Sequence, residues 1–193
     1  RPMTLLIAGL LIFLGLHSVS IVAPGWRDAQ VARRGENAWK GLYSVLAIVG
    51  FALLVYGYGQ ARLDATMLWL PPIWTRHLAA LLTIPAFIPL VAAYFPGNMI
   101  KAKLHHPMVL GVKVWALSHL LANGMLADVV LFGGLLAWAV ADRISLKRRP
   151  ARPIPAAPAM PVNDFVAAGL GLMVYVAFVA ALHQALFGVS PLS

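Results

Sequence analysis

Six long apolar runs dominate this chain and leave little room for a soluble fold. A helix that crosses the hydrocarbon core of a bilayer, about 30 Å thick, needs about 20 mainly apolar residues. The composition agrees, because 61% of the residues are hydrophobic and only 11% are charged. The sequence therefore predicts an all-α fold, a polytopic membrane helix bundle of about six transmembrane helices. The predicted spans are residues 3–22, 39–58, 77–94, 107–122, 126–141 and 165–187.

These spans are expected to form one transmembrane domain over residues 3–187. The fourth and fifth are short, and the strong turn signal Asn123-Gly124 lies between them, so we expect a tight antiparallel hairpin, with a tilted or re-entrant pair as the alternative. The longest predicted loop covers residues 142–163; it is basic, and its five prolines favour an extended polyproline-II tether. Met3 is the expected natural start of the chain, with no cleavable signal peptide.

Basic residues are distributed unevenly between the two sides of the predicted bundle. Cytoplasmic loops of membrane proteins are enriched in Lys and Arg, so the asymmetry predicts orientation. Eleven basic residues fall in the first, third and fifth loops: Arg27, Arg33, Arg34, Lys40, Lys101, Lys103, Arg143, Lys147, Arg148, Arg149 and Arg152. The opposite side has three, namely Arg1, Arg62 and Arg76. These loops are therefore predicted to be cytoplasmic and both termini to lie outside, so the net charge of +9 indicates topology and not binding to nucleic acid.

Histidine is the residue type that best indicates a cofactor in this chain. His17, His119 and His183 lie within predicted spans, and imidazole is a common ligand of haem iron and of other transition metals. Cysteine is absent, and all six carboxylates fall in predicted loops or at interfaces, which disfavours thiolate, di-iron and zinc-protease sites. Among cofactors, a b-type haem bound by histidine fits these residues best. The alternative is that each intramembrane histidine only hydrogen-bonds a neighbouring helix.

The fourth span, "HHPMVLGVKVWALSHLLANG", concentrates the polar candidates. Trp115, His119 and Asn123 are spaced four residues apart and share one helix face, whereas His106 and Lys113 share another. A lysine inside a span is costly, so we expect Lys113 to meet a buried anion such as a haem propionate or a phospholipid phosphate, or else backbone carbonyls. Asn123 is either part of this face or only the turn residue. His106 is either part of the site or caps the start of the helix before Pro107.

Depth in the bilayer favours particular histidine pairs. His119 lies about 18 Å from the predicted cytoplasmic start of its span at 1.5 Å per residue. His17 lies one to two turns from the cytoplasmic end of the first span, and His183 lies near the far end of the sixth. His17 with His119 is the predicted pair of axial ligands, and His119 with His183 is the competing pair. His77 and His105 lie at predicted interfaces and are expected to bind no metal.

Three motifs resemble the NnrU family of bacterial membrane proteins: "LGLHSV" in the first span, "WKGLYSVLAIVGFALLVYGY" in the second and the fourth-span sequence above. The resemblance extends from Met3 to about Phe187 and implies a multi-pass protein of the bacterial inner membrane, with periplasmic termini by the charge count. It also implies a link to nitrite and nitric oxide reduction in denitrification. The family is distantly related to ζ-carotene isomerase, a membrane enzyme with histidine-ligated haem b, and His17 and His119 match the positions expected for haem ligands. His106 matches the histidine of the family's His-Pro pair.

Three functions are consistent with these histidines and with the family resemblance. The first is a haem b protein of the NnrU type in nitrogen-oxide reduction, and the second is a haem-dependent cis-trans isomerase of a polyene such as a carotenoid. The third is a haem-free protein that binds lipid or assists membrane assembly. The expected partners are membrane lipid and, for the isomerase, a hydrophobic small-molecule substrate. No catalytic residue is predicted, and whether the chain is an enzyme at all is left open.

Overall fold

The chain is helical almost throughout in a computed structural model that describes residues 2–63, 66–150 and 157–192. The helices are α1 (Pro2–Val22), α2 (Pro24–Arg34), α3 (Glu36–Leu63), α4 (Ile73–Tyr94), α5 (Met99–Leu104), α6 (Pro107–Ala122), α7 (Leu126–Arg148), α8 (Pro161–Ala177) and α9 (His183–Phe187), with a π-helical segment at Phe178–Leu182. Five are long and apolar enough to cross a membrane, namely α1, α3, α4, α7 and α8 with its continuation to Phe187; α6 is a shorter apolar helix. The predicted all-α membrane helix bundle is confirmed.

The helices group into two compact units, each built from two separate stretches of chain. The first unit contains Arg1–Trp69 and Gly124–Arg148, and therefore α1, α2, α3 and α7. The second contains Leu70–Asn123 and Arg149–Ser193, and therefore α4, α5, α6, α8 and α9. The chain leaves the first unit after Trp69 and returns to it at Gly124.

Glycines bring α1 and α3 into close contact in the first unit. A Cβ atom added to Gly57 would lie 2.5 Å from the backbone nitrogen of Leu6, and one added to Gly50 would lie 3.0 Å from that of Phe13. Small residues at such positions let two helix backbones approach closely, which is the main source of packing energy between helices in lipid. Helix α7 packs on this pair, mainly against α1. The unit is thus a packed group of three long helices.

Two carboxylates of α7 are buried in the first unit, one near the start of the predicted fifth span and one just after its end. Asp128 is 1% exposed and Asp142 is 7% exposed. The Tyr58 hydroxyl donates to Oδ1 of Asp128 at 2.6 Å, and the backbone N–H of Met125 donates to Oδ2 at 3.1 Å. Burial of Asp128 is tolerated because both of its oxygens accept hydrogen bonds. Asp142 is buried because α7 continues past it, where the sequence predicted a loop.

Helix α4 is the centre of the second unit, with α6 and α8 packed against it. Glycine again permits the approach, since a Cβ atom on Gly171 would lie 2.8 Å from the Cα atom of Ile88. Pro85 and Pro89 lie inside α4, which stays helical through both. Helix α6 packs on α4 in this unit, and α7 packs on α1 in the first unit. The hairpin predicted for α6 and α7 stays a prediction.

The connections differ from prediction in two places. The first loop contains α2, whose start at Pro24 follows the preference of proline for the first turn of a helix. The basic loop predicted for residues 142–163 is shorter, because α7 runs to Arg148 and α8 begins at Pro161. Part of the predicted polyproline tether, residues 151–156, lies outside the described residues. Helix α7 has 23 residues and is long enough to span, whereas α6 has 16 and stays short.

Candidate functional site

His17 is held by its own helix in the first unit. Its Nδ1 atom lies 2.7 Å from the carbonyl oxygen of Phe13, one turn earlier on α1. A carbonyl oxygen only accepts hydrogen bonds, so Nδ1 carries the hydrogen, and in the neutral ring Nε2 keeps its lone pair. Metal-binding histidines are oriented in this way, with one ring nitrogen bonded to a backbone carbonyl and the other facing the metal.

Aromatic rings from three helices surround His17. Its ring centroid lies 4.3 Å from that of Phe13, 5.3 Å from that of Tyr43 on α3 and 5.9 Å from that of Trp138 on α7. The indole Nε1 of Trp138 is buried and has no hydrogen-bond acceptor among the described residues. A buried donor without an acceptor is costly in a native protein and often marks a group that a ligand completes.

His119 repeats the backbone arrangement of His17 in the second unit. Its Nδ1 atom lies 2.9 Å from the carbonyl oxygen of Trp115, and the two ring centroids are 4.7 Å apart. The amide of Asn123 donates to the carbonyl oxygen of His119 at 2.9 Å. The predicted shared face of Trp115, His119 and Asn123 is therefore present as a continuous set of contacts. Asn123 also ends α6, so it belongs to this face and is not only the turn residue.

His106 and Lys113 occupy the positions that the sequence predicted along α6. His106 directly precedes the helix, and its side chain makes no capping bond to the first turn, so the interpretation of His106 as a side-chain cap is wrong. Lys113 lies in the middle of α6 and is half-buried. In the part of the chain that the structure describes, its ammonium has no hydrogen-bond or ion-pair partner. The predicted anion of Lys113 stays a prediction.

The remaining histidines have different surroundings. His183 follows the π-helical segment, and its Nδ1 atom lies 2.7 Å from the carbonyl oxygen of Val189, in the segment after α9. His77 is exposed near the start of α4. His105 is exposed and has a positive φ of 60°, which is unusual for a residue with a side chain. Among all described residues, no cluster of three or more histidines and carboxylates could hold a metal ion.

The predicted ligand pair has one member in each unit: His17 belongs to the first and His119 to the second. The pairing, and the competing pair of His119 with His183, stay predictions. Sequence reasoning missed the ring contacts of Tyr43 and Trp138 with His17, because they join positions far apart in the chain. A signal existed for Trp138 alone, as a tryptophan in the middle of a span.

Comparison with known proteins identifies a family. The family model described as "NnrU protein" matches residues 5–191. No curated protein and no solved structure matches the chain. The family match covers nearly the whole length of both units and includes His17 and His119. The chain that carries these two backbone-anchored histidines therefore belongs to the NnrU family.

Proposed function

We propose that this NnrU-family protein binds one haem b through His17 and His119 and serves nitrogen-oxide reduction in the bacterial inner membrane. The observation that carries the proposal is the shared geometry of the two histidines, whose Nδ1 atoms are bonded to the carbonyl oxygen one turn earlier. Both rings therefore have Nε2 as the nitrogen with a lone pair, as an axial ligand of haem iron needs. Both have an aromatic residue one turn before them, suited to packing on a porphyrin.

The residues around His17 fit a haem in two further respects. The rings of Phe13, Tyr43 and Trp138 supply an apolar and aromatic surface beside the ligating nitrogen. The Nε1 hydrogen of Trp138 lacks an acceptor in the described part of the chain, and a carboxylate of a bound ligand would satisfy it. When bound, haem iron held by two histidines would supply one-electron chemistry. The protein's own contribution would be to orient two neutral imidazoles and to exclude water.

Absorbance spectroscopy of the purified full chain tests the proposal. The wild-type protein is expected to have a Soret band that shifts on reduction with dithionite. His17→Ala and His119→Ala should each lower haem content or convert a six-coordinate spectrum to a five-coordinate one. His77→Ala is the matched control, because His77 is an exposed histidine on another helix. A wild-type protein without a Soret band, when made with haem available, would contradict the proposal.

The orientation follows from the charge distribution and the span count. The basic asymmetry favours cytoplasmic loops after the first, third and fifth spans, and an even number of spans would place both termini in the periplasm. This requires α6 to cross, although its 16 residues extend only about 24 Å at 1.5 Å per residue. Alkaline phosphatase fused after Ser193 should be active. Inactivity of this fusion, together with a fluorescent cytoplasmic reporter at the same position, would mean that α6 does not cross.

A further inference from the structure

A pocket of about 270 Å³ lies in the first unit, among the end of α1, α2 and the start of α3. Its polar lining consists of two cations and three hydroxyls, and no carboxylate is among the described residues that line it. These polar residues are Ser20, Arg27, Lys40, Tyr43 and Ser44, and Val19 and Trp39 complete the wall. The lining offers positive charge and hydrogen-bond donors, which is the chemistry of an anion-binding site. We call it the Arg27 pocket.

Arg27 keeps most of its binding capacity. Its side chain is 25% exposed and makes one ion pair, from Nη1 to Oδ1 of Asp28 at 2.9 Å. A guanidinium group has five N–H donors, so this bond leaves donors for a second anion. Asp28 is 56% exposed and does not line the pocket, so it neutralises Arg27 only partly. A mostly buried arginine with a solvated counter-ion is well suited to bind a second anion.

Lys40 is the second cation of the Arg27 pocket. It pairs with Glu36 one turn earlier at 2.6 Å, and both side chains are about two-thirds exposed, at 66% and 67%. An exposed pair of this kind contributes little, typically about 0.2–1 kcal/mol, so an incoming anion can compete for the ammonium. Glu36, like Asp28, lies outside the lining.

The position of α2 indicates where the anion comes from. This short helix connects the end of one span at Val22 to the start of the next at Glu36, so it lies at the membrane interface. It is amphipathic and ends with Arg33 and Arg34, and Trp26 on it is 54% exposed. Basic amphipathic helices with exposed tryptophan lie at the level of the lipid headgroups.

We propose that the Arg27 pocket binds a phosphoryl group, supplied at this depth by a phospholipid headgroup. Arg27 would form the main charge-assisted hydrogen bonds, Lys40 a second ionic contact, and the hydroxyls of Tyr43 and Ser44 would donate to the remaining phosphoryl oxygens. The site does not depend on haem, because none of its polar residues is a proposed ligand. Tyr43 nevertheless joins it to His17, since the two rings are 5.3 Å apart.

Native mass spectrometry of the full chain in detergent tests this proposal, with phosphatidylglycerol as the probe and diacylglycerol as its phosphate-free counterpart. Arg27→Gln should weaken the first binding event for phosphatidylglycerol about tenfold, the effect of losing one strong charge-assisted hydrogen bond. Lys40→Gln should weaken it less, and binding of diacylglycerol should not change. Arg33→Gln is the matched control, because it removes the same charge from an exposed position on α2.

The outcomes separate the possible sources of the anion. Retention of phosphatidylglycerol in millimolar inorganic phosphate supports the lipid headgroup as the source, whereas displacement supports the same phosphoryl site with a soluble ligand. Equal weakening by Arg27→Gln and Arg33→Gln would overturn the proposal, because binding would then follow net charge alone. If Arg27→Gln does not fold, Lys40→Gln is compared with Arg33→Gln instead, since both positions are exposed. Equal weakening of phosphatidylglycerol binding by these two variants would overturn the proposal.

Discussion

The two candidate haem ligands share one local arrangement but differ in how their surroundings are built. Each imidazole is anchored to the carbonyl oxygen one turn earlier on its own helix. His17 also meets rings from α3 and α7, and His119 packs on Trp115 one turn earlier on its own helix. The ring contacts of His17 with Tyr43 and Trp138 therefore depend on the tertiary packing of the first unit. The contact of His119 with Trp115 depends on the local sequence of α6.

The largest expected effect comes from disturbing the packing of the first unit. Gly57→Ala would place a methyl group 2.5 Å from the backbone nitrogen of Leu6, and backbone cannot move aside as a flexible side chain can. We expect the free energy of unfolding to fall by about 3 kcal/mol, the upper part of the range for overpacking. We also expect the ring contacts of His17 to be lost. Thermal unfolding of the detergent-solubilised protein measures the fall in stability.

Gly59→Ala is the matched control on the same helix, because nothing lies within 4 Å of the added Cβ atom. Alanine is the better helix former, so this variant should be neutral or slightly more stable. Equal destabilisation by the two variants would show that the close approach of α1 and α3 does not hold the His17 site.

The next largest effects are expected at two half-buried tyrosines, one in each unit. Tyr58 donates to a buried carboxylate in the first unit, and Tyr175 donates to the carbonyl oxygen of Ala80 in the second at 2.9 Å. Hydrogen bonds to charged groups are stronger, so Tyr58→Phe should cost about 2 kcal/mol of unfolding free energy and Tyr175→Phe about 1 kcal/mol. Denaturant titration of both variants measures the two losses of unfolding free energy. A larger loss for Tyr175→Phe than for Tyr58→Phe would contradict this expectation.

Single-ring substitutions measure how far each histidine depends on one aromatic neighbour. Trp115→Leu removes the tryptophan ring that packs on His119, and Phe13→Leu removes one ring from His17 but leaves those of Tyr43 and Trp138. An aromatic pair contributes about 0.5–1.5 kcal/mol, so Trp115→Leu should release haem several-fold faster than the wild type. Phe13→Leu should change the rate little, because two rings remain at His17. Transfer of haem to apomyoglobin gives the rate. Faster release from Phe13→Leu would mean that the rings around His17 are not redundant.

The smallest expected effect concerns the half-buried lysine of α6. Lys113→Met keeps the length of the side chain but removes its charge, and we expect a loss of about 1 kcal/mol in haem retention if an anion of the cofactor faces it. Lys103→Met is the control, because Lys103 is exposed on α5. If both variants retain haem like the wild type, Lys113 is a snorkelling residue and has no role at the site.

The sequence predicted the features that depend on local pattern. Hydropathy located the long apolar helices, because the bilayer demands continuous apolar length, and helical periodicity aligned Trp115, His119 and Asn123. Helix α2 was missed although Pro24 at its start and its amphipathic spacing were readable. The end of α7 was placed too early because the charged residues after Ala141 were interpreted as a loop.

Features that depend on packing between distant segments were not predictable. Asp128 is buried because Tyr58, 70 positions earlier, donates to it, and no local pattern indicates that partner. The partners of α6 and α7 within their own units were not predicted either. Helix α6 packs on α4 at Gly111, and α7 packs on α1 where Gly134 meets Leu10.

Rescue by free imidazole tests most directly whether His17 and His119 are the two axial ligands. His17→Gly and His119→Gly each leave a space for one imidazole molecule, and His183→Gly provides the comparison for the competing pair. We expect that imidazole restores a six-coordinate haem spectrum in the first two variants, and that His183→Gly keeps the wild-type spectrum without imidazole. Loss of the six-coordinate spectrum in His183→Gly, with an unchanged spectrum in His17→Gly, would contradict it.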